Sequence, residues 1–277
     1  MRVAWLTDVH LNFVSQQQMS AFLASVRRSD PEAVLLGGDV AEAPQLRYYL
    51  LAIAEALRRP VYFVLGNHDY YRGSIAGVRS EVARLVKRSP YLRYLASMDV
   101  VPLAPNTALI GHDGWADGRA GDYAGSEVLM NDYFLIEELA DLDSATRLKK
   151  LNALGDEAAE HFRRTLPAAL KASKKVVLLT HVPPFRNACW HNRGISGDDY
   201  LPHFVCKAAG DVLLPVMKAH PDHELIVLCG HTHGGGSCRI LPNLLVLTGA
   251  AQYGEPRMQE LPPGLPITAA KSDSGRK

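Results

Sequence analysis

RVAWLTDVH, residues 2–10, decides the fold. Residues 2–6 read as a buried strand, and the stretch ends on an acid and an imidazole two positions apart. In an extended chain residues i and i+2 point the same way, so Asp8 and His10 can reach one cation. The construction recurs: Gly38-Asp39 follows an apolar run at 33–36, Gly66-Asn67-His68-Asp69 one at 61–65, Thr180-His181 one at 176–179, and Gly230-His231-Thr232-His233 one at 225–228. Polar groups at the carboxyl ends of successive strands predict an α/β protein with at least partly parallel sheet.

Helical patterns fill the intervals of the first third. Met19, Phe22, Leu23 and Val26 share one face, with Ser15 as a cap and Asp30-Pro31 as a stop. Leu46, Leu50, Ile53 and Leu57 mark a second helix, and Ile75, Val78, Val82 and Leu85 a third. Strands are predicted at 100–103 and 107–110 around a Pro-Asn turn, and at 239–241 and 244–247. Leu148, Leu151, Leu154, Ala158, Phe162 and Leu166 predict a long amphipathic helix disturbed at Pro167.

The chain has 277 residues, 47% of them hydrophobic, and a net charge of +1. That supports one domain over residues 1–270, with a polar, disordered tail at 271–277. Near-neutral charge disfavours nucleic acid as a partner without excluding a local basic patch. Cys189, Cys206, Cys229 and Cys238 form no CxxC pair, which argues against structural zinc and for free thiols in a reducing compartment. No apolar run approaches membrane-spanning length and no signal peptide is evident, so a cytoplasmic protein without membrane contact is expected.

The five motifs supply only Asp, Asn and His, ligands suited to hard or borderline divalent metals. Glycines before Asp39 let its carboxylate approach closely, and its two oxygens suit a bridge between two cations. A cation pair can activate a water against phosphorus while gripping a phosphoryl oxygen. His68, beside Asn67, is placed to stabilise charge or protonate the leaving group. Asp69 is expected to orient His68 or to satisfy nearby backbone groups.

The ordered set D-x-H, G-D, G-N-H-D, H and G-H-x-H resembles the calcineurin-like metallophosphoesterase family, from Asp8 to His233. The resemblance implies a four-layer α/β/β/α sandwich of two mixed sheets. It implies one metal held by Asp8, His10, Asp39 and His233, a second by Asp39, Asn67, His181 and His231, and Mn, Fe or Zn as the ions. Asp39 is followed by Val-Ala-Glu-Ala-Pro rather than the continuation found in Ser/Thr protein phosphatases, and Asp69 stands where they carry Glu. Lipid A pathway pyrophosphatases of the family usually have Arg at the place of His68. The set is closer to bacterial phosphodiesterases, with a small phosphodiester or a nucleotide as substrate. Phosphomonoesterase, nuclease and non-catalytic scaffold are the rival functions.

Three residues outside the motifs are candidate substrate contacts: Trp115 as a wall, and His191 and Arg193 in a segment at 185–204 that is either a lid or an ordinary insertion. His112 reads as part of a turn. His161, His220 and His223 read as surface or core histidines.

Overall fold

The computed structural model describes residues 1–192, 194–263 and 267–269; the tail at 271–277 lies outside the described residues. β1 (Arg2–Leu6), α1 (Gln16–Arg28), β2 (Ala33–Gly37), α2 (Ala43–Leu57), β3 (Val61–Val64), α3 (Ile75–Val86) and β4 (Leu92–Tyr94) alternate along the first third. Then come β5 (Val101–Ala104), β6 (Thr107–Gly111), α4 (Asp132–Leu135), α5 (Ser144–Ala172), β7 (Lys175–Leu179), β8 (Trp190–His191), β9 (Gly194–Ile195), α6 (Leu201–Phe204) and α7 (Lys207–Lys218). β10 (Glu224–Cys229), β11 (Gly236–Leu241), β12 (Leu244–Thr248) and β13 (Thr268–Ala269) complete the set.

The helices begin where local chemistry satisfies their first amides. Ser15 and Gln18 form a reciprocal capping box at α1, the Gln18 N–H donating to Ser15 Oγ at 3.2 Å and the Ser15 N–H to Gln18 Oε1 at 2.9 Å. Asp143 accepts the Thr146 N–H at the start of α5. Pro167 does not disturb α5, contrary to expectation; the helix runs through it to Ala172. Pro167 and Arg163, the residue four before it, are both exposed. The carbonyl deprived of a partner therefore lies on the solvent face, where water replaces the lost bond.

Two sheets pack face to face. The first has the order β13-β1-β2-β3-β4 and the second β11-β12-β10-β7-β6-β5. The second is mixed, with antiparallel pairs at both edges. The first is parallel throughout its described strands, which corrects the expectation of two mixed sheets. The alternation within each strand builds the layers. Val3 and Trp5 of β1 join Val177, Leu179, Ile226 and Leu228 in the core between the sheets. Ala4 and Leu6 face the other way, onto Met19, Phe22, Leu50 and Val82 of α1, α2 and α3. Ile110, Val176 and Val227 meet Phe162, Leu166 and Leu213 of α5 and α7. The result is the α/β/β/α sandwich. The parallel strands β1, β2 and β3 end on one side of the first sheet, as β7 and β10 do in the second, and these five ends deliver the motifs to a common place.

Candidate metal centre

The loops leaving the strands zip together before they present their side chains. The Asp8 N–H donates to Gly38 O at 3.1 Å and the His10 N–H to Asp39 O at 3.0 Å. Bonds from the second sheet cross to the first: His181 Nδ1 lies 2.8 Å from Gly37 O, and the His231 N–H donates to Asp8 Oδ1 at 2.9 Å. Two glycines make the approach possible. A Cβ on Gly66 would overlap Asp39 Oδ1, and one on Gly230 would overlap Asp8 Oδ2.

Backbone conformation aims the side chains. Asp8, His10, Asp39, His231 and His233 all have positive φ, between 40° and 68°. Such left-handed residues cost of order 1–3 kcal/mol each in sparsely populated regions and persist where surrounding structure fixes them. Asp69 supplies part of that fixing. Its carboxylate accepts the backbone N–H groups of Asp39, Val40, Ala41 and Gly66 at 2.8–3.0 Å. These four bonds from one side chain tie the loop after β2 to the loop after β3 and hold Asp39 in its left-handed conformation. Asp69 is fully buried, and of the two roles expected for it the structure displays the backbone one.

One oxygen or nitrogen from each of Asp8, His10, Asp39 and His233 lies within 4.8 Å of all the others. His10 Nε2 stands 3.1 Å from His233 Nε2 and 3.7 Å from Asp39 Oδ2. A second group adjoins it through Asp39, whose Oδ1 is 3.5 Å from His181 Nε2. Asn67 Oδ1 lies 3.1 Å from His181 Nε2 and 3.0 Å from His231 Nδ1. The structure thus brings all seven predicted metal-site residues together.

Second partners turn these atoms inward. With His181 Nδ1 donating to Gly37 O, its Nε2 is left as the lone-pair nitrogen. His231 Nε2 sits 2.9 Å from His203 O, which leaves Nδ1 for the cage. Asn67 Nδ2 donates to Asp132 Oδ1 at 2.8 Å, and the Tyr71 hydroxyl donates to the same oxygen at 2.7 Å, so the Asn67 carbonyl faces inward. Burial raises the Asp39 carboxyl well above its usual range, with Asp8 and Asp69 adding to the effect. Burial lowers His10, then the neighbouring imidazoles of His68, His233 and His181 do; it likewise lowers His231 to about 4. Neutral imidazoles and crowded carboxylate oxygens facing one another are mutually repulsive without a cation among them, so this donor set fits divalent metal.

The rim is less uniform. His68 lies with its Nε2 4.0 Å from Asp39 Oδ2, its ring stacked on Tyr71 at 4.2 Å. Burial brings its imidazole down to about 3, with His181, His233 and His231 contributing. Tyr253, which the sequence did not single out, has its hydroxyl 3.4 Å from His68 Nε2 and its ring over His10. His191 sits on β8 with Nδ1 3.2 Å from Thr232 O, beside Tyr200 and Phe204. Arg193 lies outside the described residues. The segment at 185–204 contributes a wall: Phe204 packs on His231 and His203 O anchors that ring. Trp115 is no wall. It is 3% exposed and packs against Tyr70 in the core beneath the first sheet's helices.

A family model described as calcineurin-like phosphoesterase matches residues 1–235. The chain belongs to that family. Calcineurin-like phosphoesterases are phosphoester hydrolases that employ divalent metal, and Asp8, His10, Asp39 and His233 form a group that could hold such an ion. A Danio rerio protein named "Transmembrane protein with metallophosphoesterase domain" is 31% identical over 83 residues, which cover 28% of this chain and 18% of that protein. Its Bos taurus namesake is 27% identical over 118 residues, covering 41% and 24%. The chain thus matches a quarter or less of the length of these relatives. No helix among the described residues is long and apolar enough to cross a membrane. Phosphopantetheinyl hydrolase from Mycobacterium tuberculosis superposes with a TM-score of 0.59 at 13% identity, covering 95% of this chain and 97% of that one. A dimetal phosphatase from Danio rerio gives 0.55 at 14%, covering 94% and 88%. At such identities the two structures establish the shared fold.

Proposed function

We infer that this phosphoesterase hydrolyses a small phosphodiester or a nucleotide, with Asp8, His10, Asp39 and His233 holding one divalent cation and Asp39, Asn67, His181 and His231 a second. The observation that carries the reading is the convergence of seven side chains from both sheets, two of them acidic, with their free nitrogens and oxygens turned inward. Bound cations would supply Lewis acidity towards a phosphoryl oxygen and lower the pKa of water. Mn, Fe and Zn are the candidates, as all three accept mixed imidazole and carboxylate sets.

This chain's own groups do the remainder. Asp39 contributes negative charge to both halves of the cage, while its Oδ1 also accepts the His68 N–H at 2.9 Å. That bond ties the position of His68 to the bridge. At the rim, the His68 side chain faces the place of the phosphoryl group and the leaving oxygen. The negative charge of a bound phosphoester favours the protonated ring that burial disfavours without it, and that ring stabilises charge and moves a proton to the departing alcohol. Asp69 holds the loops rather than touching substrate. The buried thiols of Cys189, Cys206 and Cys229 support a reducing compartment, and we place the protein in the cytoplasm.

A phosphoester panel tests the reading: bis(p-nitrophenyl) phosphate, p-nitrophenyl phosphate and nucleotides, each with Mn, Zn or Fe, with bound metal counted by elemental analysis. The expected result is two metals per chain and faster cleavage of the diester or a nucleotide. Preference for p-nitrophenyl phosphate would replace the diester reading with a monoesterase. Protein that takes up no metal and cleaves nothing would end the assignment.

A further inference from the structure

Two aromatic side chains at the mouth of the cage have no structural account. Phe13 is 51% exposed and Tyr253 47% exposed, yet their ring centroids are only 4.9 Å apart, tilted by 56°. Both come from loops that also frame the centre: Phe13 follows His10 by three residues, and Tyr253 follows β12. The Tyr253 ring lies 4.5 Å from that of His10 and 5.1 Å from that of His233, and the Phe13 ring is 6.1 Å from His10. The patch is therefore continuous with the imidazoles of the first metal position.

A single exposed apolar residue needs no explanation, but adjoining aromatics on the lip of a polar cavity mark a ligand surface. A phosphoryl group held at the first metal position can send its ester arm outward past this lip, which adjoins His10 and His233. Two flat rings make a patch the size of one heterocycle, not the extended groove that an acyl chain needs. Their π faces suit another planar ring, stacked or edge-on. Such stacking tolerates any base, because each has a π face.

We propose that Phe13 and Tyr253 form a base-stacking subsite that receives the nucleobase of a nucleotide ester whose phosphoryl group lies in the cage. The site rests on the phosphoester reading above, but it binds a different part of the substrate and can be probed without metal. The Tyr253 hydroxyl is not required for stacking, so the aromatic face alone should carry the effect.

The test compares adenosine 5′-(p-nitrophenyl phosphate) with methyl p-nitrophenyl phosphate on Mn-loaded full-length protein. Both release the same phenolate, so their kcat/KM ratio reports the adenosine arm. Wild type should favour the adenosine ester. Phe13→Ala and Tyr253→Leu should each cut that ratio roughly 5- to 100-fold, the effect of losing a base–aromatic stack. Tyr253→Phe should keep it, which separates stacking from the hydroxyl's contact with His68. In parallel, AMP binding to metal-free protein is measured by calorimetry, where the two truncations should weaken it by a similar factor. A ratio that neither truncation changes, or no AMP binding by metal-free wild type, overturns the subsite. If Mn-loaded wild type cleaves neither ester while AMP still binds in a Phe13-dependent way, the hydrolase reading fails and the stacking site stands.

Discussion

At the strand ends, His10, His181, His231 and His233 crowd around Asp8 and Asp39. Beside α5, His112 and His161 are also buried, with ring centroids 5.2 Å apart and Glu157 3.9 Å from His112 Nε2. Residue types and burial are alike in the two places, and the difference lies in where the lone pairs go. In the cage, His181 and His231 each spend one nitrogen on a backbone carbonyl and turn the other inward, His181 towards Asp39 and His231 towards Asn67 Oδ1, and Asp8 and Asp39 pair with no Arg or Lys among the described ion pairs. Beside α5, His112 Nδ1 accepts the Gly114 N–H, His161 Nε2 has no partner among the described residues, and Arg79 already holds both oxygens of Glu157. The acids there are already engaged: Arg79 also lies 3.6 Å from Asp113, whose oxygens accept the Leu65 N–H and the Tyr70 and Tyr94 hydroxyls. Buried histidines make a metal centre when free lone pairs and unneutralised acid converge, not when rings merely lie close.

The sharpest way to break the contrast is Asp39→Asn. This change removes the acid shared by both halves of the cage, next to His10 and His181. Both metal positions should weaken together, beyond the roughly 10–100-fold that an outer partner of a ligand carries. Unchanged metal stoichiometry by elemental analysis would rule out the bridge. His68→Ala comes next. It should keep both metals, since His68 is at the rim, but lower turnover about 10²–10⁴-fold, the usual share of a positioned acid or charge-stabilising group. A near-normal rate would remove His68 from the chemistry. Asp132→Ala is smaller. It frees the Asn67 amide to rotate its nitrogen inward, and affinity for one metal should fall roughly 10–100-fold while the other is spared. Equal loss at both positions, followed by metal titration, would mean that the damage is general rather than local to Asn67.

The cage was legible because its chemistry admits few residue types and the fold places them at strand ends, so apolar run followed by Asp, Asn or His is a readable phrase. The alternation of strands and helices was legible through periodicity, whereas the four-layer sandwich was implied only by the resemblance to the family. Asp132, the His203 carbonyl, Phe13 and Tyr253 were not legible. They arrive on turns or short helices with no period, and a backbone carbonyl leaves no mark in a sequence at all. Trp115 misled because an aromatic after a glycine-rich turn looks the same whether it points out or in; here it is drawn onto Tyr70 in the core. The parallel direction of the first sheet agrees with the alternation of strands and helices; it was the resemblance to the family that implied a mixed one.

The smallest effect lies with the second histidine group, where the same physics predicts a stability signature and no catalytic one. Burial lowers His161 to about 4, aided by His112 and Arg164 and opposed by Asp113 and Asp99. Its ordinary value is near 6.5. Between those two pH values the unfolded chain takes up a proton that the folded chain refuses. The contribution of neutral His161 to stability is therefore whole above about pH 6.5 and lost progressively as pH falls towards 4. One such proton gives a slope of at most about 1.4 kcal/mol per pH unit. His161→Gln cannot titrate, so urea unfolding of metal-free protein at pH 7 and pH 5 should reveal a smaller acid loss in the variant than in wild type. The other histidines contribute equally to both proteins and cancel in the comparison. Metal content and turnover at pH 7 should not move, because His161 faces His112 and Phe162 rather than the cage. An identical pH slope in variant and wild type would show that His161 is hydrated and ordinary, and would leave the contrast between the two histidine groups resting on geometry alone.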